Sequence, residues 1–551
     1  MERRALIKQL TFSVPAIMLA HRTVASDFLM EKPLERIAAD PFLPTWESLQ
    51  TYQVPEWFRD AKFGLWAHWG PQCQPEAGDW YARGMYQEGS RQYKYHLEKY
   101  GHPSVFGFKD VIHEWKAEKW DPEELVALYK SAGAMYFMAM ANHHDNFDMF
   151  SSKYQENWNS TKIGPRKDII DGWAKAARRH GLPFGVSVHA SHAWSWYETS
   201  QRSDKQGAYA GIPYDGKLTK ADGKGKWWEG LDPQDLYAQN HPLSLNSEDN
   251  SMIHKQWNWG NGVAVPTQAY IEKFYNRTID LIDKYNPDLV YFDDSQLPMW
   301  PVSDAGLRIA AYFYNKSIKE KGALRAVIAG KILDENQRKA MVWDIERGQS
   351  NNIEPLPWQT DTCIGGWHYD RSLYDQKKYK SAKTVIHTLV DVVSKNGNLM
   401  LNIPVRGDGS IDELERQVVN DIGRWMHANS ECIYGTRPWK VFGEGPAQES
   451  AAALTAQGFN EGKGKPFTAE DIRFTTKNKA LYATVMGWPE TGKVTIKSLA
   501  RGSSLYPEQI NKIELLGTKQ VLKFDRINDG LMIYFPEKQV AESYANALKI
   551  E

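Results

Sequence analysis

From Trp57 onward, short apolar runs alternate with longer stretches of helical period. Eight runs read as strands: 63–68, 134–140, 184–189, 289–292, 326–330, 341–345, 359–363 and 399–403. Apolar residues recur at helical spacing over 121–131, 168–180, 270–285, 382–394 and 412–428. Strands separated by helices predict a parallel α/β sheet, and eight of them predict a (β/α)8 TIM-like barrel over residues 27–435. The helix between the fifth and sixth strands is short or missing, so the expected barrel is irregular. Residues 197–267 show little periodicity, yet Trp227, Trp228, Trp257 and Trp259 argue for an ordered loop lying over the pocket. Beyond 435 the pattern changes to brief β-like runs at 472–476, 480–485 and 493–496 with Gly and Pro between them, which predicts a C-terminal β-sandwich over 436–551.

At the other end, Arg3, Arg4 and Lys8 precede an apolar run over 10–20 and small residues at 24–26. That order predicts a signal segment over 1–26, of loose twin-arginine type, and export to a periplasm or secretion. The run is too short to span a bilayer.

The fourth strand ends in Asp293-Asp294. Strand alternation puts Tyr291 and Asp293 on one side, with Phe292 and Asp294 on the other. If the Tyr291 side faces the barrel mouth, Asp293 is the working carboxylate. Other strand ends are just as polar: His68-Trp69-Gly70 followed by Asp79-Trp80, Asn142-His143-His144-Asp145, and Asp344-Ile345-Glu346-Arg347. Zinc could use His143, His144 and Asp145, but adjacent strand histidines diverge and no second pair at ligand spacing helps them. Hydrogen bonding to sugar hydroxyls fits better, and the expectation is no metal. With 67 basic and 68 acidic residues, the chain has no electrostatic footprint for nucleic acid or an anionic membrane. Its 22 Trp, 27 Tyr and 20 Phe suit stacking on sugar rings. Cys73, Cys363 and Cys432 rule out a disulfide scaffold. A serine nucleophile elbow, a P-loop and a dinucleotide fingerprint are all missing.

Several stretches resemble glycoside hydrolase family 29, the α-L-fucosidases. They are the run from Trp57 to Gly64 leading into His68-Trp69-Gly70, His143-His144-Asp145 with Ser152-Lys153-Tyr154, Asp168-Ile169-Ile170, the run from Asn396 to Asn402, and that from Ala469 to Thr475. The resemblance implies removal of terminal α-L-fucosyl residues from oligosaccharides or glycans with retention of configuration and without a cofactor. It implies Asp293 as nucleophile, His68, His143 and His144 as binders of fucose hydroxyls, Trp80 as an aromatic wall and Arg347 as a sugar-contacting cation. His189 stands near the place of a tyrosine often found there and takes over a hydroxyl contact. Asp79, Tyr291 and Trp358 complete the expected binding set. Some members carry a glutamate after the tryptophan corresponding to Trp358, where this chain has Gln359. The expected acid/base is therefore Glu346, with Glu354 as runner-up and Asp79 as a third candidate. Asp294 replaces the usual glycine and would raise the pKa of Asp293 if it faced the site. Alternatives are an α-L-galactosidase, a non-catalytic fucose-binding protein and a metallohydrolase. No nucleic-acid partner and no membrane integration are expected, and a homo-oligomer is left open.

Overall fold

The structure, a computed structural model, describes residues 41–449 and 459–551. The expected signal segment, 1–26, lies outside the described residues. Eight parallel strands close into a barrel in chain order: β1 (Phe63–Ala67), β2 (Tyr136–Asn142), β3 (Phe184–Val188), β4 (Leu289–Ser295), β5 (Val327–Lys331), β6 (Val342–Glu346), β7 (Trp358–Cys363) and β8 (Gly397–Asn402). Closure comes from β8 pairing with β1, where Met400 stands opposite Gly64. All eight expected strands are present.

The strands are buried on both faces, and alternation sorts their residues into two cores. Trp66, Tyr136, Met138, Leu289, Tyr291, Val327, Ala329, Val342 and Met400 pack inside the barrel. Phe63, Leu65, Phe137, Val186, Val290, Phe292, Ile328 and Leu401 face the surrounding helices. Gly64 is required by this packing, because a β-carbon there would meet the Tyr136 ring at 2.4 Å.

The outer layer comprises α1 (Pro122–Ser131), α2 (Ile169–Arg179), α3 (Gln268–Tyr285), α4 (Ala305–Lys321), α5 (Ala382–Ser394) and α6 (Glu413–Asn429). Asp121, Asp168, Thr267, Ser381 and Asp412 cap five of these by accepting backbone N–H groups. Asn286, left-handed at φ 44°, ends α3 directly before Pro287 and turns the chain into β4. Only a 3-10 turn, Gln337–Lys339, separates β5 from β6, as the weak pattern there predicts.

The C-terminal part holds two antiparallel sheets. Strands β9 (Arg437–Glu444), β10 (Ile472–Lys477), β11 (Ala480–Val485), β12 (Lys493–Ile496), β13 (Ile513–Leu515), β14 (Gln520–Val521), β15 (Phe524–Ile527), β16 (Gly530–Tyr534) and β17 (Asn546–Ile550) form them. One sheet runs β14-β13-β17-β11-β10-β9 and the other β12-β16-β15. Their inward residues, among them Phe474, Leu481, Ile496, Leu531 and Leu548, make one apolar core.

A buried ionic triad fastens these sheets to the barrel. Asp391 of α5 accepts from Lys395 at 2.6 Å and from Arg473 of β10 at 2.6 Å. The two cations hold its carboxyl below the usual range against burial. Asp391→Ala leaves two cations buried without a counter-charge and is expected to cost about 3–5 kcal/mol. Denaturant titration followed by tryptophan fluorescence checks this, and an unchanged midpoint would remove the triad from the junction.

Candidate active site

Inside the barrel the apolar core gives way, toward the C-terminal strand ends, to a hydrogen-bonded polar layer. The Tyr136 hydroxyl donates to Gln359 Oε1 at 3.1 Å, and Gln359 Nε2 donates to Asp344 Oδ1 at 2.8 Å. Tyr291 donates to Asp361 Oδ2 at 2.7 Å. Asp344 Oδ2 and Asp361 Oδ1 have no donor among the described residues, as two neighbouring carboxylates must unless one carries a proton. Burial and the Asp361 charge drive Asp344 well above the carboxylate range, and burial raises Asp361 as well, so the pair favours holding a proton between them.

One residue further along the inward-facing series stand Asp293, Lys331 and Glu346. Lys331 Nζ donates to Asp293 Oδ1 at 2.7 Å and also to Glu346 Oε2. The other oxygen of Asp293 faces His144 Nε2 at 3.0 Å and His189 Nδ1 at 3.1 Å. Although burial opposes ionisation of Asp293, Lys331 and the two imidazoles hold its carboxyl well below its ordinary value. Glu346 goes the other way. Burial pushes it up to about 7 against the opposing pull of Lys331, with Asp361 and Asp293 reinforcing the rise. Trp367 Nε1 donates to its second oxygen at 3.1 Å. Two carboxyl groups that share one ammonium thus differ in charge near neutral pH.

Above this pair the wall is aromatic and imidazole-rich. His68 stacks on Trp66 at 4.9 Å and on His189 at 5.1 Å, and neither of its nitrogens has a hydrogen-bond partner among the described residues. His368 lies 4.6 Å from His68 and accepts orientation from Asp79, whose Oδ1 is 2.9 Å from His368 Nδ1. Trp80, left-handed at φ 57°, stacks against Trp257 at 6.2 Å. Trp257 closes edge-on over His144 at 4.9 Å, so the long loop after β3 does cover this end of the barrel. Such a pocket offers ring faces for C–H surfaces, unpaired imidazole nitrogens for hydroxyls, and two carboxyls for the chemistry.

A family model described as Alpha-L-fucosidase matches residues 29–431, and one described as Alpha-L-fucosidase C-terminal domain matches 465–551. The chain belongs to the alpha-L-fucosidase family. It is a glycoside hydrolase of barrel-plus-sheets architecture. Tissue alpha-L-fucosidase of Rattus norvegicus is 25% identical over 521 residues, covering 91% of this chain and 90% of the relative. Its Homo sapiens counterpart is 25% identical over 514 residues, with 90% and 88% covered. Among solved structures, the Thermotoga maritima alpha-fucosidase in complex with a mechanism-based inhibitor superposes with a TM-score of 0.66 at 25% identity, covering 92% of this chain and 99% of that one.

Within this fucosidase-family pocket, the structure brings together Asp293, Glu346, His68, His143, His144, His189, Asp79 and Trp80. Three expected binders have other partners. Arg347 leaves β6 in a left-handed conformation, φ 45°, and pairs with Glu461 at 3.3 Å. The cation beside the carboxylates is Lys331 instead. Trp358 opens β7 at the opposite end of the barrel, where its indole donates to the carbonyl of Lys395 at 2.8 Å. Tyr291 lies beneath the pocket with its hydroxyl committed to Asp361. Gln359, beside Trp358, belongs to the buried layer and not to the mouth. Glu354 bonds Ser350 and faces Arg338 at 3.6 Å, away from Asp293. Asp294 faces outward to Ser191, at 2.7 Å, and His192, at 2.9 Å, so its feared pressure on Asp293 does not arise.

Lys331, Trp367 and His368 escaped the sequence reading. Lys331 follows the 326–330 run directly, and the inward series Val327, Ala329, Lys331 was the available signal. Trp367-His368 sits in a non-periodic loop after β7 and gave none.

Two imidazole trios, His68–His143–His368 and His143–His144–His189, have ligand atoms within 4.8 Å of one another. Their donor chemistry does not fit a metal ion. Gln72 takes the Ala82 N–H on its oxygen at 3.2 Å, so its amide nitrogen faces Asp145 at 3.1 Å and His143 Nδ1 at 2.7 Å. His143 therefore carries its proton on Nε2, the nitrogen left for the pocket, and donates there. His144 and His189 spend their nitrogens on Asp293, the His189 carbonyl at 2.7 Å and Ser187 at 3.1 Å.

The Lys331 charge lowers both carboxyl pKa values, so removing it raises both. Lys331→Met is expected to move the acid and alkaline limbs of the pH profile of kcat/KM toward higher pH, while Lys331→Arg keeps them near the wild-type positions. Aryl-fucoside hydrolysis across pH measures this, and a Met variant with unmoved limbs would contradict the assigned electrostatics.

Proposed function

We propose that the protein is an exported, retaining α-L-fucosidase that removes terminal fucosyl residues from glycans, with Asp293 as nucleophile and Glu346 as acid/base. The single ammonium bonded to both carboxyls carries this reading. Two hydrogen bonds of roughly 3 Å cannot separate the bonded oxygens by more than about 6 Å, which suits the ~5–5.5 Å of retaining enzymes and not the ~6.5–9.5 Å of inverting ones. The names of the relatives support fucose as the sugar. Residues 27–435 would carry the reaction, with 436–551 bracing the barrel, and the pattern over 1–26 supports export.

In the first step an Asp293 oxygen attacks the anomeric carbon as the glycosidic C–O bond breaks, and Glu346 gives its proton to the departing oxygen. A water then surrenders a proton to Glu346 and attacks the same carbon, releasing Asp293 with the configuration retained. An ionised nucleophile and an acid with a pKa near 7 are what this sequence demands. His68 and the Nε2–H of His143 would bind sugar hydroxyls, and Trp80 and Trp257 would border the ring. The intact pair tells against a non-catalytic binding protein, and the hydrogen bonds already made by His143, His144 and His189 tell against a metallohydrolase.

With an aryl α-L-fucoside bearing a good leaving group, Asp293→Ala is expected to abolish turnover. Glu346→Ala should slow natural substrates by roughly 10²–10⁴-fold, keep more of its first step on the aryl substrate, and regain turnover with azide. Steady-state rates and NMR of the azide product check this. Wild-type rates in Glu346→Ala would move the acid/base elsewhere, and a fully active Asp293→Ala would end the proposal.

A further inference from the structure

Outside the catalytic pocket, the loops that follow β1, β2 and β3 enclose a hollow of about 440 Å³, walled by His113, Lys116, Lys162, Arg166, Trp227 and Leu231. All three loops leave the C-terminal ends of their strands, so the hollow belongs to the rim that surrounds Asp293. Its volume is that of a small-ligand site.

Two features give it a chemistry. The first is a fixed aromatic surface. Trp227 is 38% exposed although its ring is locked in place. Its indole N–H donates to Asp110 Oδ1 at 2.7 Å, His113 stacks on it at 4.2 Å, and Trp158 meets it edge-on at 6.2 Å. The loop beneath is pinned by buried Lys109, which bonds Asp110 at 2.7 Å and Asp215 at 2.8 Å. An exposed tryptophan held this firmly presents a pre-ordered face with little entropy left to lose on binding.

The second feature is unbalanced positive charge. Lys116, Lys162 and Arg166 are exposed and none makes an ion pair among the described residues, although Lys116 Nζ donates to the His113 carbonyl. Asp110 does not neutralise them, because its oxygens are taken by Trp227, Lys109 and the Gly107 N–H at 2.8 Å. His113 is held below its ordinary range by burial and by the Lys116 charge, with Arg166 adding to the effect over the opposing Glu114 and Asp110. On the loop that carries Trp227, the exposed Lys220, Lys224 and Lys226 outnumber the exposed Asp222 and Glu229.

We propose that this hollow is a second saccharide-binding site, one that takes a sugar bearing sulfate or carboxylate groups. The pyranose C–H face would lie on Trp227, and the anionic substituents would be met by Lys116, Lys162 and Arg166. Its rim position would hold an anionic glycan near the catalytic mouth; that use rests on the glycosidase reading, whereas binding does not. Nucleic acid is the poorer fit, because the cluster is confined to one small hollow on a chain of net charge -1 and forms no extended basic stripe.

Binding of the full chain to dextran sulfate, polygalacturonate and neutral dextran at physiological salt tests the site, since none of these polymers contains fucose. Wild type should bind at least one anionic polymer, the choice between them separating sulfate from carboxylate, and should ignore neutral dextran. Trp227→Ala should weaken binding roughly tenfold, Trp227→Phe should restore most of it, and the triple variant Lys116→Ala, Lys162→Ala, Arg166→Ala should abolish it. Aryl-fucoside turnover should be unchanged in all of them. The proposal falls if wild type binds neither anionic polymer, if the variants bind like wild type, or if single-stranded DNA binds as tightly as the polysaccharide. A wild type without aryl-fucosidase activity would sink the functional reading alone, leaving the polymer result to judge this site.

Discussion

The contact on which the active end of this barrel depends is the Lys331 ammonium held between Asp293 and Glu346. Two carboxylates buried side by side would repel, and at least one would take up a proton. The cation resolves this unequally. Asp293 receives Lys331 on one oxygen and His144 and His189 on the other, which favours its charged form from both sides. Glu346 receives Lys331 and the weaker donor Trp367, while the charges of Asp361 and Asp293 push against its ionisation. Groups of the same chemistry are thereby given opposite protonation, the condition for one to attack while the other delivers a proton.

That division reaches below the pocket. The interior of the barrel is not apolar throughout, because Tyr136, Gln359, Asp344, Asp361 and Tyr291 form a hydrogen-bonded layer immediately under the reacting groups. Buried polar groups are costly unless satisfied. Here the cost is limited by the proton that the Asp344–Asp361 pair favours and by the hydroxyl of Tyr291 on Asp361. The remaining charge of Asp361 then acts on Glu346 through a medium with little screening. Tyr291, expected from the sequence among the sugar binders, and Gln359 thus belong to the electrostatic support of the site.

The loops add what the strands cannot. Trp257, from the long loop after β3, covers His144, and another part of that loop supplies Trp227 to the basic hollow on the rim. One insertion therefore contributes to both the catalytic wall and the outer surface, fixed in place by the buried contacts of Lys109 and Asp215. At the far side, Asp391 ties α5 to β10, so the C-terminal sheets brace the helical layer, while Glu461, between β9 and β10, reaches Arg347 beside Glu346.

The architecture was legible in the sequence because its signals are local. Apolar runs a few residues long marked all eight barrel strands, the 382–394 period matched α5 to the residue, and the gap between β5 and β6 read correctly as lacking a proper helix. Helix α4 gave a weaker pattern, since apolar residues run nearly all round its first turns. Strand alternation also put Asp293 and Asp294 on opposite sides of the fourth strand, and the motifs identified the family. The partners of Asp293 were another matter. Lys331 lies 38 residues from it and 15 from Glu346, and only the register of β4, β5 and β6 around a closed barrel brings the three together. Arg347, adjacent to Glu346 in sequence, turns out of the strand toward Glu461, while Trp358 stands at the wrong end of its strand. Sequence by itself determined the strands, which residues of the fourth share a face, and the family; tertiary structure decided which face turns inward and which charges meet, because periodicity groups residues by side, whereas an ion pair depends on the depth at which separate strands align.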